Sequence, residues 1–318
     1  MVCSALFLIL VFRNVRWIEL AAVLQTVNWA TLLLAAALYA LSLVMRGLCW
    51  QSLLAPLGPV TTKEAFSYAN IGYMANNLLP LRAGEVIRAA LLAEKRRFSK
   101  SAVLATIVLE RLLDVLILGV LTVLLMVVMP IPSLAGRSIL VTVIVGCLGI
   151  IGVWWAAGRS WTDLKGERLP RWLHRRALRV AVSLGRSFSG GLSAVRSVKQ
   201  AGLAGFYSLL AWMLVCGSIY LMMLASQLRL PWHAALLVMV VVNLGSVIPS
   251  SPGSIGVVHF LAVVALSPWI VNREVAVGFS IVLHAVSVLV TVVLGGACLW
   301  TERIGIGRVN KAGLEPAR

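Results

Sequence analysis

Residues Asn76–Arg88 read NNLLPLRAGEVIR. Two amides, a proline, a glycine, two arginines and a glutamate crowd into a chain that otherwise looks like lipid-soluble helix. In hydrocarbon every backbone N–H and C=O needs a partner, so an interrupted helix is tolerated only inside protein or beside a wet cavity. Pro80 removes a donor that would lack a partner and fixes φ for a following helix start. Gly84 lets backbones approach closely. The stretch therefore predicts one helix ending within the apolar layer and a half-helix beginning over Ala83–Glu94, its free N–H groups turned into the protein.

The rest of the chain supplies the apolar layer. It has 318 residues, is 60% hydrophobic and is 12% charged, about half the charge of a soluble domain. Long unbroken apolar runs, without alternation over roughly ten-residue segments, exclude a membrane β-barrel. The fold class is an all-α polytopic membrane protein. Five cysteines lie apart, with no metal-ligand or redox spacing, and read as small buried hydrophobes. Neither a metal nor any other cofactor is expected.

About twenty apolar residues make a span. Candidates are Val2–Phe12 (short), Trp29–Leu54, Ala102–Met129, Ile139–Ala157, Leu203–Gln227 and Val275–Trp300, about six in all. Two further regions, Thr62–Glu94 and Trp232–Ile270, are broken by amides, prolines and glycines, and each is long enough to enter the membrane, turn and leave by the same side. Leu78-Leu79-Pro80-Leu81-Arg82-Ala83-Gly84 can be laid over Val247-Ile248-Pro249-Ser250-Ser251-Pro252-Gly253. That echo fits an inverted repeat of broken helices, and equally two independent proline kinks. A single membrane domain, 1–318, is expected, with halves 1–158 and 201–300, a basic linker or interfacial helix over 159–200, and a tail over 301–318.

The net charge is +17, and ten Lys and Arg lie between Arg159 and Lys199. Enrichment of basic residues in cytoplasmic loops explains this better than nucleic acid does, since no groove-reading or RNA-binding motif is present. Orientation follows, with both termini and the basic loops cytoplasmic and Pro130–Arg137 external. Tryptophans near span ends (Trp29, Trp50, Trp154, Trp155, Trp161, Trp300) read as interfacial anchors.

Ionisable residues inside spans are costly, about 2.5–3.5 kcal/mol each on insertion scales. Arg82, Glu85 and Arg88 recur three apart on the new half-helix. Asn70, Tyr73 and Asn77 share a face of the preceding one. Glu110, Arg111 and Asp114 form a polar arc, and Arg46 projects from the inner end of the second span. The cost favours a buried network: Glu85 with Arg88 or Arg111, and Asp114 with Arg111 or Arg46. Such a network either only holds helices together or forms a ligand site with surplus positive charge. Half-helix starts after Pro80 and after Pro252, at Gly253, would add two positive dipole ends facing one space, favourable for an anion. His259 could face the same cavity. No nucleotide, dinucleotide, metalloprotease or nucleophile-elbow motif occurs.

Asn77-Leu-Leu-Pro80-Leu-Arg82-Ala-Gly84-Glu85-Val-Ile-Arg88 resembles the signature of the lysylphosphatidylglycerol synthase transmembrane-domain family, which includes the flippase half of bacterial multiple-peptide-resistance factors. Glu110-Arg111-Leu-Leu-Asp114 resembles its next motif, Arg46 with Trp50 fits the stretch before the first, and Pro252-Gly-Ser-Ile-Gly256 fits the late one. The late motif often carries Glu three residues after its final Gly; His259 stands there. The chain ends soon after its last span, without the cytoplasmic aminoacyl-transferase domain. The resemblance therefore implies a lipid translocator and no enzyme reaction. It would move a phospholipid, aminoacylated phospholipid or polyprenyl-phosphate-type lipid across a bacterial inner membrane. Substrate-binding residues would be Arg46, Asn77, Arg82, Glu85, Arg88, Glu110, Arg111, Asp114, Pro252, Gly253 and His259. The alternative is an enzyme, or an enzyme's partner, using Glu85 or Asp114 as a base on a lipid-linked substrate. Expected partners are membrane lipids with anionic head groups; a second copy of the chain and a separate lipid-synthesising enzyme stay open, and nucleic acid is not expected.

Overall fold

The computed structural model describes residues 2–13, 15–79, 83–129, 197–245, 251–305 and 307–309. Pro80, Arg82, Pro249, the candidate span Ile139–Ala157, the turn Pro130–Arg137 and nearly all of the basic segment Arg159–Lys199 lie outside them. Every regular element among the described residues is helical: α1 (Val2–Phe12), α2 (Trp17–Gln25), α3 (Trp29–Leu54), α4 (Thr62–Leu78), α5 (Gly84–Arg96), α6 (Lys100–Val128), α7 (Val198–Ala225), α8 (Trp232–Gly245), α9 (Val257–Leu266) and α10 (Arg273–Thr301).

Five segments are long and apolar enough to cross a membrane: Trp29–Leu57, Lys100–Val128, Val198–Ala225, Pro252–Trp269 and Arg273–Thr301. Four of these coincide with spans expected from the sequence. The fifth lies within the second broken region, whose later part is long and apolar enough to span by itself. Its regular helix is only α9, and Gly253 (φ 67°) and Gly256 (φ 88°) interrupt the approach to it. The short first helix has the bounds expected, Val2–Phe12; at 11 residues it is not among the helices long enough to cross, and α2 follows as a separate helix of 9 residues. Stacking of Phe7 on Phe260 at 4.7 Å holds α1 against α9, and Arg273 donates to the Leu10 carbonyl at its end.

Lipid is as apolar as leucine, so helices associate here through close packing and hydrogen bonds rather than through the hydrophobic effect. α3 and α7 form the most extensive pairing, antiparallel along their length. Asn28 N–H donates to the Ala225 carbonyl at one end, Ser218 Oγ to the Ala35 carbonyl further in, and Arg46 meets Trp212 at the middle. α4 and α5 form an antiparallel hairpin. A capping box of Thr61 and Glu64 starts α4, and Arg96 at the end of α5 returns to Glu64. At the other end the helices touch through glycine: a Cβ on Gly84 would overlap the Gly72 carbonyl oxygen. The Gly84 N–H donates to Asn76 Oδ1 at 2.9 Å. Of the asparagine pair that looked like a helix breaker, both residues lie within α4, and Asn76 caps the next helix.

α10 runs antiparallel to α4. Glu302 reaches Lys95 at one end, Gly295 packs on Met74 and the Asn70 carbonyl, and Asn77 Nδ2 donates to Thr291 Oγ1 at 2.6 Å. Deeper still, His284 Nε2 lies 2.8 Å from the Gly253 carbonyl oxygen. A Cβ on Gly253 would stand 3.3 Å from the Asn77 carbonyl oxygen. The end of α4 and the turn before α9 therefore meet, beside the middle of α10.

Gly84→Ala should lower the melting temperature in detergent sharply, consistent with overpacking of at least about 3 kcal/mol. Gly217→Ala, where a Cβ meets nothing within 4 Å, should leave it unchanged. Equal melting of the two variants would contradict the glycine crossing.

A candidate functional site among charged residues at mid-span

Asp114 sits midway along α6 and Trp212 midway along α7, with Arg46 a turn beyond the middle of α3. These charges therefore lie near the centre of the spanning layer, where an unpaired one is most costly. Each is paired. Asp114 Oδ1 accepts from Trp212 Nε1 at 2.9 Å and from Ser208 Oγ at 3.2 Å. Arg46 Nη1 reaches both carboxylate oxygens, at 3.2 and 3.1 Å, and Arg111 Nη1 lies 3.3 Å from Oδ2. The Arg46 guanidinium also lies over the Trp212 ring, 4.6 Å from its centroid.

Glu110 is the second anchor. Its Oε1 accepts from Tyr73 Oη at 3.1 Å and Arg111 Nη2 at 2.5 Å, and its Oε2 pairs with Arg88 Nη2 at 3.0 Å. Arg88 is wholly buried, between the Trp50 and Tyr73 rings at 4.8 and 5.5 Å. Its Nε and Nη1 have no hydrogen-bond partner among the described residues. Trp50, read from the sequence as an interfacial anchor, is instead fully buried and donates to Thr106 Oγ1. Glu85 is half-buried and stands 3.5 Å from Arg111 Nε.

Beside this network lies a cavity of about 290 Å³. Arg46 and Arg111 line it with Tyr39, Tyr73, Asn76, Asn77, Asn243, Ser287 and Thr291 and with apolar Leu43, Val215, Ile219, Met222, Val242, Val258 and Leu283; no carboxylate among the described residues belongs to its lining. The two guanidiniums, paired with Asp114 and Glu110, give this mixed space its cationic side. That arrangement suits an anion with several oxygens.

The sequence-derived residues divide accordingly. Arg46, Asn77 and Arg111 line the cavity. Glu110 and Asp114 are buried behind it, and Glu85 flanks Arg111. Arg88 does not face the cavity, because its partner Glu110 and two aromatic rings enclose it. His259 is corrected too: Val258 lines the cavity, while the His259 ring packs against His284 at 4.8 Å. Pro252 and Gly253 form the turn that touches Asn77. Among described residues the network balances three arginines (Arg46, Arg88, Arg111) against three carboxylates (Glu85, Glu110, Asp114), so the expected surplus rests on Arg82, outside them. Sequence reasoning missed Tyr39, Ser208, Trp212, Asn243, Ser287 and Thr291. Trp212 left a signal, since a tryptophan at mid-span cannot be an interfacial anchor.

The family model for the lysylphosphatidylglycerol synthase TM region matches residues 1–295. The chain belongs to this family. A UPF0104 membrane protein of Methanothermobacter thermautotrophicus is 25% identical over 274 residues, covering 79% of this chain and 78% of the relative. Membership of this family and the apolar spans make the protein an integral membrane protein of a family related to lipid handling.

Removing one partner of the buried Arg88–Glu110 pair should cost about 3–5 kcal/mol. Glu110→Leu, which leaves Arg88 buried without its carboxylate, should therefore melt well below Glu110→Leu combined with Arg88→Leu in a thermal scan. A double variant no more stable than the single one would contradict the pairing.

Proposed function

We propose that the protein is a lipid flippase or transporter that moves a phosphate-bearing lipid between leaflets through the central cavity. The observation that carries this reading is the cavity wall: Arg46 and Arg111, oriented by buried carboxylates, with no carboxylate in the lining among the described residues. The phosphate would sit between the two guanidiniums, and asparagine, serine and threonine side chains would replace water around the rest of the head group. Glu110, Asp114 and Arg88 act as positioning residues in this scheme. Glu85, half-buried beside Arg111, is placed to meet a cationic portion of a head group.

The architecture is consistent with transport. On this reading α4–α5 and α8–α9 are hairpins that approach from opposite membrane faces as an inverted repeat and meet where Gly253 nears Asn77. The end carrying Lys63, Lys95, Arg96, Arg97, Lys100, Arg303 and Arg308 faces the cytoplasm. The enzyme reading, with Glu85 or Asp114 as the base, draws less support, because Asp114 is committed to Arg46, Arg111, Ser208 and Trp212 and Glu85 stands against Arg111.

Liposomes holding the purified protein and a labelled phospholipid test the proposal. Wild type should exchange the label between leaflets. Arg46→Ala and Arg111→Ala should slow exchange about ten- to hundredfold, the effect of losing one charge-assisted hydrogen bond, and Arg82→Ala should slow it as well. Equal exchange by wild type and all three variants would overturn the proposal, as would a chemically altered lipid in the extracts.

A further inference from the structure

A second hollow, of about 890 Å³, lies on the other side of the α4–α10 seam. Thr291 and Asn77 line the polar cavity, whereas their neighbours Val292 and Leu78 line this groove with Leu79, Gly296, Trp300 and Arg303. The same two helices therefore separate the cavity that holds the guanidiniums from a more apolar trough, and the Asn77–Thr291 hydrogen bond closes the seam between them.

The trough has the dimensions of one leaflet. From Val292 to Thr301 the helix rises about 14 Å, close to half of a hydrocarbon core of ~30 Å. Its deep end is the terminus of α4, at Leu78 and Leu79. Its outer end carries exposed Trp300, an interfacial residue, and exposed Arg303. Neighbouring charges are committed, Lys95 to Glu302 and Arg308 to Glu94, but Arg303 makes no ion pair among the described residues. Arg303 also closes α10 in the left-handed conformation (φ 53°), with the Ile304 N–H returning to the Leu299 carbonyl. Glycine is the usual residue at such a position; here a cation stands there, at the mouth of the trough.

We infer that this groove is a docking site for one acyl chain of a glycerophospholipid, with the lipid phosphate on Arg303. The site holds a lipid of the leaflet at the basic end, its chain tip against the end of α4, before the head group passes the seam. As a loading step the inference rests on the flippase reading; as a binding site it stands alone.

Phosphatidylglycerol carrying a diazirine near its acyl-chain end, photolysed in proteoliposomes and mapped by mass spectrometry, is the test. Adducts should concentrate on peptides containing Leu78, Leu79 and Val292. Gly296→Trp fills the trough at a position where a Cβ meets nothing within 4 Å, and should cut those adducts about tenfold. Val292→Trp should do the same should Gly296→Trp melt early. Gly217→Trp, at an equally open glycine on α7, should leave them unchanged. Arg303→Gln should lower the yield about tenfold. Adducts spread equally over lipid-exposed Leu33, Val127 and Leu289, and indifferent to Gly296→Trp, would overturn the docking site. Localised adducts without any exchange of labelled lipid would instead overturn the flippase reading and leave the site standing.

Discussion

A carboxylate at the centre of a membrane span must be neutralised where it stands, and Asp114 organises the molecule around that constraint. Four donors converge on it from three helices: Arg46 from α3, Arg111 from its own helix, and Ser208 and Trp212 from α7. The hydrocarbon around them offers no alternative partner, so the helices that bring these donors are held in register. Glu110, one turn away, repeats the device with Arg88, Arg111 and Tyr73 and ties in α4 and α5. Arg111 belongs to both sets. Its guanidinium is gripped on two sides and still belongs to the cavity wall.

Much of this was legible from residue types alone. Long apolar runs gave the helices of four spans to within a few residues, because a span is set by composition and length. Lone charges within those runs identified the network, since membrane interiors tolerate them only in company. Spacing and sign narrowed the partners of Glu85 to Arg88 or Arg111 and those of Asp114 to Arg111 or Arg46; Glu85 lies on Arg111, and Asp114 takes both arginines. The direction in which Arg88 points was not legible. Periodicity puts Arg88 on the polar side of α5, but the close Gly72–Gly84 crossing brings α5 so near α4 that this side faces Trp50 and Tyr73. His259 was misread for a similar reason. A helix start after Pro252 was expected to fix its facing, whereas two positive-φ glycines delay α9 until Val257 and turn the imidazole toward His284. The neutral residues of the cavity wall were invisible, because serine, threonine and asparagine are common in spans and show their role only once three helices are assembled.

The cavity with its two guanidiniums and the more apolar trough differ in character and lie on either side of one helix pair. A lipid combines the same two characters in one molecule. On the proposed transport reading, the charge network serves lipid handling as well as helix cohesion. Cohesion would be satisfied by carboxylates and guanidiniums fully enclosed, as Arg88 and Glu110 are. Arg46 and Arg111 instead line a cavity, and the proposed reading gives that cationic lining an anionic ligand.

Electron cryo-microscopy of the protein in lipid nanodiscs, at a resolution that shows head groups, tests that claim most directly. The account predicts head-group density in the central cavity, its phosphate between the Arg46 and Arg111 guanidiniums while Asp114 and Glu110 keep their contacts. A cavity closed by side chains, with both arginines spent wholly on the carboxylates and lipid confined to the outer surface, would contradict it.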